Sequence, residues 1–269
     1  MTHHRKVSVI MGVYNCAETL ENAVASIQSQ TYSNWEMIIC DDGSFDNTYE
    51  KAREICEKDG RIKVIRNDKN LGLGTALNRC ISFANGDYIA RMDGDDDCLP
   101  GRFEKQVAFL EAHPEFAIVS TPMVLFDETG EWGRTYAKEY PQPKDIVCGS
   151  PICHAPVMMR KECLEAVGGY AEEPWACRVE DVNLWIKLYA AGYRCYNFPD
   201  PLYRMRNNRD AFNRRKYRYR VNSTYVRLKG CKALGLGFSC RLWSLRPLLH
   251  GLIPWKLRQW IRKKQKMDE

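Results

Sequence analysis

Residues 93–97, with the sequence DGDDD, place four carboxylates directly after the strand-like run 88–92. Extended backbone turns residues two apart to the same side, so Asp93 and Asp95 can face one cation together. Proteins commonly hold Mg²⁺ with one or two carboxylates, while waters and substrate phosphates complete the coordination. So short a motif is also consistent with a solvated acidic turn. The segment therefore predicts either a divalent-metal site or an exposed turn, and the surrounding elements must decide.

The first 120 residues alternate between strand-like and helix-like segments. Short runs of apolar character predict five strands, at residues 7–11, 35–40, 62–66, 88–92 and 116–120. The intervening segments predict four helices, at about 20–28, 47–58, 76–84 and 102–111. This alternation is typical of an α/β fold with a mostly parallel sheet and helices on both faces.

Three of the predicted strands end in polar or acidic residues. These are the turn at residues 12–15, the pair Asp41-Asp42 and the acidic segment 93–97. Ligands of such sheets bind in the crevice outside the carboxyl ends of the strands. We therefore expect the three segments to meet in one crevice.

Residues 70–74 (NLGLG) form a glycine-rich loop before the third predicted helix. A dinucleotide fingerprint would follow the first strand instead, and the chain contains no glycine-lysine-serine or glycine-lysine-threonine run of a P-loop. The loop is either a phosphate-binding helix N-terminus or a plain turn that uses two glycines.

The net charge of +6 conceals two halves of opposite sign. Residues 204–269 carry 19 basic and 3 acidic side chains, whereas residues 1–203 carry 21 basic and 31 acidic ones. This asymmetry predicts an acidic globular body with a basic, surface-seeking extension. The 12 cysteines include no CxxC pair, and no apolar signal core precedes the first strand, so we expect reduced thiols in a cytoplasmic protein.

Several of these segments, in this order, resemble a family 2 glycosyltransferase of the GT-A fold. The resemblance lies in the strand 7–11 with its turn, in residues 41–44 (DDGS), in the loop 70–72 and in residues 88–96. Downstream, residues 151–154 and 180–185 are similar to the acceptor-side segments of that family. The likeness covers about residues 5–200.

The resemblance implies a nucleotide-diphosphate sugar donor, usually a UDP-sugar, and Mn²⁺ or Mg²⁺ as cofactor. Gly12 and Tyr14 match the loop that packs against the nucleoside. Asp42 matches the carboxylate that accepts a hydrogen bond from the uracil ring. Asp95 matches the direct metal ligand, and Asp93 lies nearer the ribose and the metal-bound waters.

Two positions depart from the family pattern. Gly94 replaces the small alanine between the two aspartates, which predicts a looser turn. Arg79 lies one place later than the arginine that usually follows the glycine loop, so a contact of Arg79 with phosphate is not implied.

Asp181 matches the family's catalytic base, the carboxylate that removes the proton from the incoming hydroxyl. A single in-line attack would invert the anomeric centre. Considered on its residue type alone, Asp181 is as well explained as a first-turn or capping acid of the helix 181–191. Glu180 is the alternative base.

Three other residues near these segments have open roles. His154 is either a residue lining the pyrophosphate or acceptor side, or a structural histidine bonded to backbone. Trp175 either stacks on an acceptor sugar or anchors a surface loop. Trp185 is expected in the core.

The basic extension, residues 204–269, is predicted to be mainly helical and to follow a catalytic domain of residues 1–203. Its mixture of arginine and tyrosine also occurs in nucleic-acid binders, but no such motif is present, so we expect no nucleic-acid partner. Leucine, tryptophan and isoleucine at 242–261 form an apolar side that prolines interrupt. A helix lying on the inner face of the membrane fits this pattern better than a membrane-spanning one.

The sequence thus predicts a metal-dependent inverting glycosyltransferase that extends a lipid-linked glycan in surface-polysaccharide synthesis. A sugar nucleotidyltransferase or a non-catalytic nucleotide-sugar-binding module is the alternative. The sequence does not identify the sugar, the acceptor or the linkage.

Overall fold

The computed structural model describes residues 5–207 and 216–252. Within these residues there are eleven strands, at β1 (Val7–Val13), β2 (Trp35–Asp41), β3 (Ile62–Arg66), β4 (Tyr88–Arg91), β5 (Asp97–Cys98), β6 (Ile118–Ser120), β7 (Val124–Asp127), β8 (Gly130–Arg134), β9 (Met158–Arg160), β10 (Cys195–Asn197) and β11 (Tyr203–Arg206). The α-helices are α1 (Leu20–Gln28), α2 (Thr48–Lys58), α3 (Leu73–Phe83), α4 (Arg102–Ala112), α5 (Pro143–Cys148), α6 (Lys161–Ala166), α7 (Glu180–Ala190), α8 (Tyr217–Ala233), α9 (Phe238–Trp243) and α10 (Arg246–Leu252).

Seven strands form the central sheet, in the order β10-β6-β9-β4-β1-β2-β3. All neighbours are parallel except β9, which runs antiparallel to both β4 and β6. The predicted α/β fold, with its mostly parallel sheet, is therefore confirmed. The predicted strands and helices up to residue 120 are all present, although α3 begins at Leu73 rather than near residue 76.

Helices cover both faces of this sheet. The strands place apolar side chains alternately on one face and on the other, so both faces must be buried. Val9 and Met11 of β1 face a core that includes α1 and α4, whereas Ile10 faces one that includes α3 and α7. The period of two residues in a strand explains this division. The sheet thus holds the carboxyl ends of β4, β1 and β2 side by side, where three of the predicted site segments begin.

A second sheet of four short strands, in the order β5-β11-β7-β8, joins the acidic segment to the residues beyond 200. β5 pairs antiparallel with β11, and β11 runs parallel to β7. β11 continues through Arg206, past residue 203, where the sequence places the end of the catalytic domain. The central fold therefore includes the first residues of the basic segment.

The described part of the basic segment is helical. α8 packs on α7, and Gly230 allows the close approach, since an added Cβ would come within 2.5 Å of Ile186 Cδ1. No helix of the described residues is long and apolar enough to cross a membrane. Residues 253–269, which hold the rest of the predicted apolar side, lie outside the described residues.

All 12 cysteines are free, and eight of them are buried, as the sequence predicts for thiols that serve in packing.

Candidate active site

A cavity of about 500 Å³ opens at the carboxyl ends of β1 and β4. Its walls come from residues 12–19 after β1, from residues 93–95 after β4, and from Asp46 and Arg206. The volume lies within the range of small-molecule sites, about 300–1,000 Å³. Two of the three segments that were predicted to share one crevice, the turn after β1 and the acidic segment, therefore line this cavity, whereas Asp41 and Asp42 do not.

The cavity unites four of the predicted site residues: Gly12, Tyr14, Asp93 and Asp95. Asp42 lies at the end of the neighbouring strand β2 but does not line this cavity, and neither does Asp181. Tyr14 is half exposed at the mouth, where its ring meets that of Phe45 edge-on, with centroids 6.0 Å apart.

Asp93 is held in place by two residues from elsewhere in the fold. Arg91, a buried residue at the end of β4, forms an ion pair with the Asp93 carboxylate. The backbone N–H of Asp93 donates to the hydroxyl of Tyr203 at 3.1 Å. The negative charges of Asp93 and Asp96 and the hydroxyls of Tyr170 and Tyr203 raise the pKa of Arg91 although burial opposes them. The guanidinium is thus a permanent cation beneath the acidic segment.

Asp95 is exposed toward the cavity, but nearby protein atoms limit its hydration. This desolvation, followed by the charge of Asp93, raises the pKa of the Asp95 carboxyl to about 6. Asp96 is buried, and its pKa is raised well above the ordinary value by burial and by the charges of Asp93 and Asp95. The carboxylates therefore repel one another, and a bound cation would relieve that repulsion.

Gly94 is packed more tightly than the sequence suggests. An added Cβ would lie 2.9 Å from both Val13 Cγ1 and Cys16 Sγ. Thr19 donates its hydroxyl to the Gly94 carbonyl at 2.8 Å. The expectation of a looser turn is wrong, because the turn after β4 is clamped against the turn after β1.

Asp42 is hydrogen-bonded to the glycine-rich loop in this structure. The buried carboxylate accepts hydrogen bonds from Asn67 Nδ2 at 2.6 Å and from the N–H groups of Leu71 and Gly72 at 2.9 and 2.8 Å. These bonds fix the chain where it enters α3, which explains why the helix begins at Leu73. Arg79 of that helix binds the carbonyl of Arg66 at 2.7 Å, and it does not line the cavity.

Asp181 lies half-buried in the first turn of α7, next to Glu180. Burial, and then the charge of Asp181, raise the pKa of Glu180, whereas Arg91 lowers it. Both carboxylates lie at the positive end of the α7 dipole, a common place for acidic residues. No side-chain capping hydrogen bond is present at the start of α7.

The glycine loop and the segment before α7 are in direct contact. An added Cβ at Gly74 would lie 3.0 Å from the Ala171 carbonyl and 3.8 Å from Glu180 Cβ. Asn78 of α3 donates to the carbonyl of Tyr170 at 2.9 Å and accepts its N–H at 2.8 Å. The donor-side loop and the acceptor-side carboxylates therefore share one support.

His154 binds a side chain rather than backbone. Its Nε2 lies 2.8 Å from the Tyr170 hydroxyl, and its ring meets Trp185 edge-on. Burial and the charge of Arg91 hold the pKa of His154 well below its ordinary value, so the ring is neutral at pH 7. Trp185 is buried in the core, as predicted.

Trp175 packs against the basic segment. Its ring meets that of Tyr225 of α8 at a centroid distance of 5.6 Å, and Lys229 Nζ lies 5.1 Å above it. These contacts support the anchoring role for Trp175 over exposure to a sugar.

Sequence reasoning missed Arg91 and Arg206. Arg91 stands inside the predicted strand 88–92, where its charge is unusual because buried strands are mostly apolar. Arg206 belongs to β11 and reaches the cavity from beyond residue 203. An arginine interrupting a buried strand was a usable signal for Arg91, but no local pattern marks Arg206.

A divalent cation fits this cavity when a ligand supplies part of its coordination. Among the described residues, no group of three or more His, Cys, Asp or Glu is arranged to hold a metal by itself. Asp93 and Asp95 offer two carboxylates in one cavity, and phosphate oxygens and waters commonly complete such a site. Desolvation, and then the charge of Asp93, raise the pKa of Asp95, and a bound cation would offset both effects.

The chain matches the model of the family "Glycosyl transferase family 2" over residues 8–167. A second model, "Glycosyl transferase family group 2", matches residues 88–262. The chain therefore belongs to glycosyltransferase family 2 and is a glycosyltransferase.

Named relatives agree with this class. The chain is 41% identical over 265 residues to the putative glycosyltransferase EpsE of Bacillus subtilis, covering 98% of this chain and 95% of that protein. It is 30% identical over 230 residues to the Escherichia coli protein WfaP, named a UDP-Glc:alpha-D-GlcNAc-diphosphoundecaprenol beta-1,3-glucosyltransferase, covering 84% and 88% of the two chains.

Solved structures confirm the GT-A fold. TarS from S. aureus, in complex with UDP-GlcNAc, superposes with a TM-score of 0.72 at 18% identity, covering 91% of this chain and 71% of TarS. The mannosyltransferase PcManGT from Pyrobaculum calidifontis, in complex with GDP-Man and Mn²⁺, gives a TM-score of 0.65 at 19% identity, covering 99% and 81%.

Proposed function

We propose that this glycosyltransferase moves a sugar from a UDP-sugar to a lipid-linked glycan, with inversion at the anomeric carbon. The observation that carries the proposal is the cavity between β1 and β4, where the Asp93/Asp95 pair faces the turn that holds Gly12 and Tyr14. Nucleoside and diphosphate need an aromatic surface and a place for charge neutralisation, and this cavity has both. The UDP-GlcNAc complex of TarS supports a UDP-sugar as donor.

In this proposal, the nucleoside lies along the turn after β1. Gly12 lines the cavity beside it and also lets α3 pack closely, since an added Cβ would lie 3.1 Å from Leu73 Cδ1. Tyr14 packs against the nucleoside, and Asp42 at the end of β2 accepts the ring N–H of uracil. Because Asp42 is engaged with the glycine loop in the absence of donor, uracil would have to share or replace one of those hydrogen bonds. Asp93 lies toward the ribose.

Asp95, with Asp93 behind it, would hold Mn²⁺ or Mg²⁺ together with the donor diphosphate. Such an ion acts as a Lewis acid that neutralises the diphosphate as it leaves. Arg206 supplies a protein cation at the same wall of the cavity. Arg91 fixes Asp93 by their ion pair, so that the carboxylate keeps its position whether or not a donor is present.

Asp181 is the proposed base. It lies half-buried in the first turn of α7, and in this role it accepts the proton of the acceptor hydroxyl. Attack from the side opposite the leaving diphosphate inverts the anomeric centre in one step. Glu180, whose pKa is raised by burial and then by the charge of Asp181, is the alternative base.

The lipid-linked acceptor and attachment to the membrane surface are supported by two observations. WfaP is named for a diphosphoundecaprenol acceptor. The basic extension, residues 204–269, has 16 more basic than acidic side chains, and its helices expose large apolar side chains, among them Phe238, Leu242, Trp243 and Leu249. Positive charge and exposed apolar side chains are what a peripheral protein offers to an anionic leaflet.

A transfer assay tests the proposal directly. UDP-Glc, UDP-Gal, UDP-GlcNAc, UDP-GalNAc and GDP-Man are each incubated with a short-chain prenyl-diphosphate-linked GlcNAc, with and without Mn²⁺, and release of the nucleoside diphosphate is measured. We expect release from one donor that needs both acceptor and metal. Release at full rate without Mn²⁺ would contradict the proposed metal dependence. Release from the GDP-sugar alone would contradict a UDP-sugar donor.

A further inference from the structure

Phe45 is an exposed aromatic side chain next to the donor cavity. It is 83% exposed, more than any other large apolar side chain of the described residues. It follows the DDGS segment after β2 and precedes Asp46, which lines the cavity. Single exposed apolar side chains are common on protein surfaces and imply nothing by themselves. Whether Phe45 has a role therefore depends on its surroundings.

The backbone of Phe45 is fixed by the turn after β1. Its N–H donates to Asn15 Oδ1 at 3.1 Å, and the N–H of Asn15 donates to Ser44 Oγ at 2.9 Å. Arg66 donates to the carbonyl of Ser44 at 2.9 Å and pairs with Asp41 at 3.0 Å. Asn15 has a φ of 53°, a left-handed conformation that asparagine adopts more readily than most residues. The ring of Phe45 thus projects from a turn that is held on both sides.

Two further hydrogen bonds join the same turns beside the cavity. The N–H of Cys16 donates to Thr48 Oγ1 at 2.8 Å, and the N–H of Ala17 donates to Asp46 Oδ2 at 3.3 Å. Cys16, Ala17 and Asp46 all line the cavity. The turn that carries Phe45 is therefore joined to the cavity wall, and this keeps Phe45 at the mouth.

Phe45 and Tyr14 form a corner of two aromatic rings at this mouth. Their centroids are 6.0 Å apart, and their planes meet at 83°. A flat ring that stacks on either of them presents its edge to the other, and both stacked and edge-to-face arrangements of aromatic rings are favourable. Tyr14 is 44% exposed, so both rings have surface left for a ligand. The corner has the shape and chemistry to hold one flat heterocycle.

The cavity itself offers little to such a ring. Tyr14 is the one aromatic side chain among the described residues that line it, and its charged residues include Asp93, Asp95 and Arg206. These charges suit a diphosphate and its metal ion, whereas a nucleobase gains from stacking on aromatic side chains. Phe45 can supply that stacking at small entropic cost, because an aromatic side chain has only two rotatable bonds.

We propose that Phe45 is a donor-binding residue, which forms with Tyr14 an aromatic corner that holds the nucleobase of the sugar donor. This inference rests on the proposed function, in which Tyr14 packs against the nucleoside. It divides the donor site into two parts: the polar cavity binds the diphosphate and metal, and the corner outside it binds the base.

The experiment compares Phe45→Ala, Phe45→Leu and Phe45→Trp by calorimetric titration of UDP with Mn²⁺ and by donor kinetics. Loss of a base-stacking side chain weakens binding by about 10-fold, so we expect Phe45→Ala to raise the Kd for UDP and the KM for donor by about that factor. Phe45→Leu keeps an apolar side chain without a ring and should lose nearly as much, whereas Phe45→Trp should bind like the wild type. The base is equally bound before and during transfer, so kcat should not change.

Tyr136→Ala is the matched control, because Tyr136 is 82% exposed and does not line the cavity. It should bind UDP like the wild type. Because Phe45 is exposed, its variants should keep the Tm of the wild type.

Unchanged UDP affinity in both Phe45→Ala and Phe45→Leu overturns the corner, and so does a Phe45→Trp protein as weak as Phe45→Ala. A wild-type protein that binds GDP but not UDP contradicts the proposed donor instead, and the same variants titrated with GDP then decide the corner. A wild-type protein that binds neither nucleotide contradicts both.

Discussion

The donor cavity and the acceptor side of this glycosyltransferase are built in different ways. The donor cavity is made largely from two continuous stretches, residues 12–19 and 93–95, each of which follows a strand of the central sheet. The surroundings of Asp181 instead come from α3, from the chain before α7, and from α8. The order of the strands in the sheet brings the two stretches of the donor cavity together. The acceptor side instead depends on contacts between segments that are distant in the sequence.

This contrast makes the donor carboxylates the most sensitive point of the molecule. Asp95→Asn removes one carboxylate of the Asp93/Asp95 pair and should abolish metal-dependent UDP binding and nearly all transfer, because a neutral amide is a poor ligand for a hard cation. The fold should survive, since the change relieves repulsion with Asp93 and Asp96. Calorimetric titration of UDP in the presence of Mn²⁺ measures the loss.

The control for Asp95 is Asp97→Asn. Asp97 belongs to the same acidic segment but pairs with Arg204 at 3.3 Å and does not line the cavity. It should keep UDP affinity. Unchanged UDP affinity in Asp95→Asn would remove Asp95 from the metal site and leave the acidic segment as a structural turn.

On the acceptor side, Asp181→Asn should spare donor binding and cost transfer about 10²–10⁴-fold, the usual contribution of a general base. The amide is nearly isosteric, so the first turn of α7 should remain intact. Steady-state transfer rates and UDP titration together give the required separation of kcat from donor affinity. Exposed Glu173, in the loop before α7, provides the matched control as Glu173→Gln.

A small effect of Asp181→Asn has a defined consequence. If Glu180→Gln shows the large loss instead, the base is Glu180, and the first turn of α7 presents the other carboxylate. If neither variant loses turnover, the two carboxylates serve α7 and not the chemistry.

The sequence was sufficient for the donor half because each feature there is local. Short apolar runs located β1, β2 and β4, and parallel topology brought their ends together without knowledge of any side-chain contact. The strands β5, β9 and β11 are two to four residues long, too short for a periodic signal. They determine where Arg206 lies, which explains why the sequence did not reveal it.

The acceptor half escaped prediction for a different reason. The hydrogen bonds of Asn222 and Arg227 end on backbone carbonyls, which every residue possesses, so no residue type in the partner segment marks them. The charge of the basic extension suggested only a surface. Its α8 helix also has a buried face, which includes Val226 and Cys231 and packs on the catalytic core.

Gly94→Ala sharpens the comparison within the donor half. A Cβ there would lie 2.9 Å from Val13 and Cys16, so the turn after β1 or the acidic segment must shift. We expect a loss of about 1–3 kcal/mol of unfolding free energy, the usual cost of overpacking, with weaker UDP binding. Thermal unfolding and UDP titration measure the two effects.

Gly60→Ala is the control for this substitution, because a Cβ at Gly60 would meet nothing within 4 Å. A Gly94→Ala protein with unchanged Tm and UDP affinity would show that the two turns are free to separate, and that the cavity walls are less rigid than this packing indicates.

The smallest expected effect concerns the exposed apolar side chains of the basic extension. Leu242 and Trp243 are each more than half exposed, so replacing both by serine should leave Tm and UDP binding unchanged. Burying such side chains in a bilayer contributes about 1.5–3 kcal/mol each at most, while each nearby Lys or Arg adds about 1 kcal/mol that salt screens. The double variant should therefore bind anionic vesicles at low salt but detach at high salt, where the wild type is retained in part.

Vesicle flotation distinguishes this behaviour from a purely structural extension. Tyr136→Ser is the control, since Tyr136 is 82% exposed but lies outside the basic extension, between β8 and α5. A wild-type protein that remains at the bottom of the gradient with anionic lipid at low salt contradicts the membrane proposal. The hydrogen bonds of Asn222 to the chain before α7 and of Arg227 to the end of α5 would then stand as the main reason for α8, because they form without a membrane.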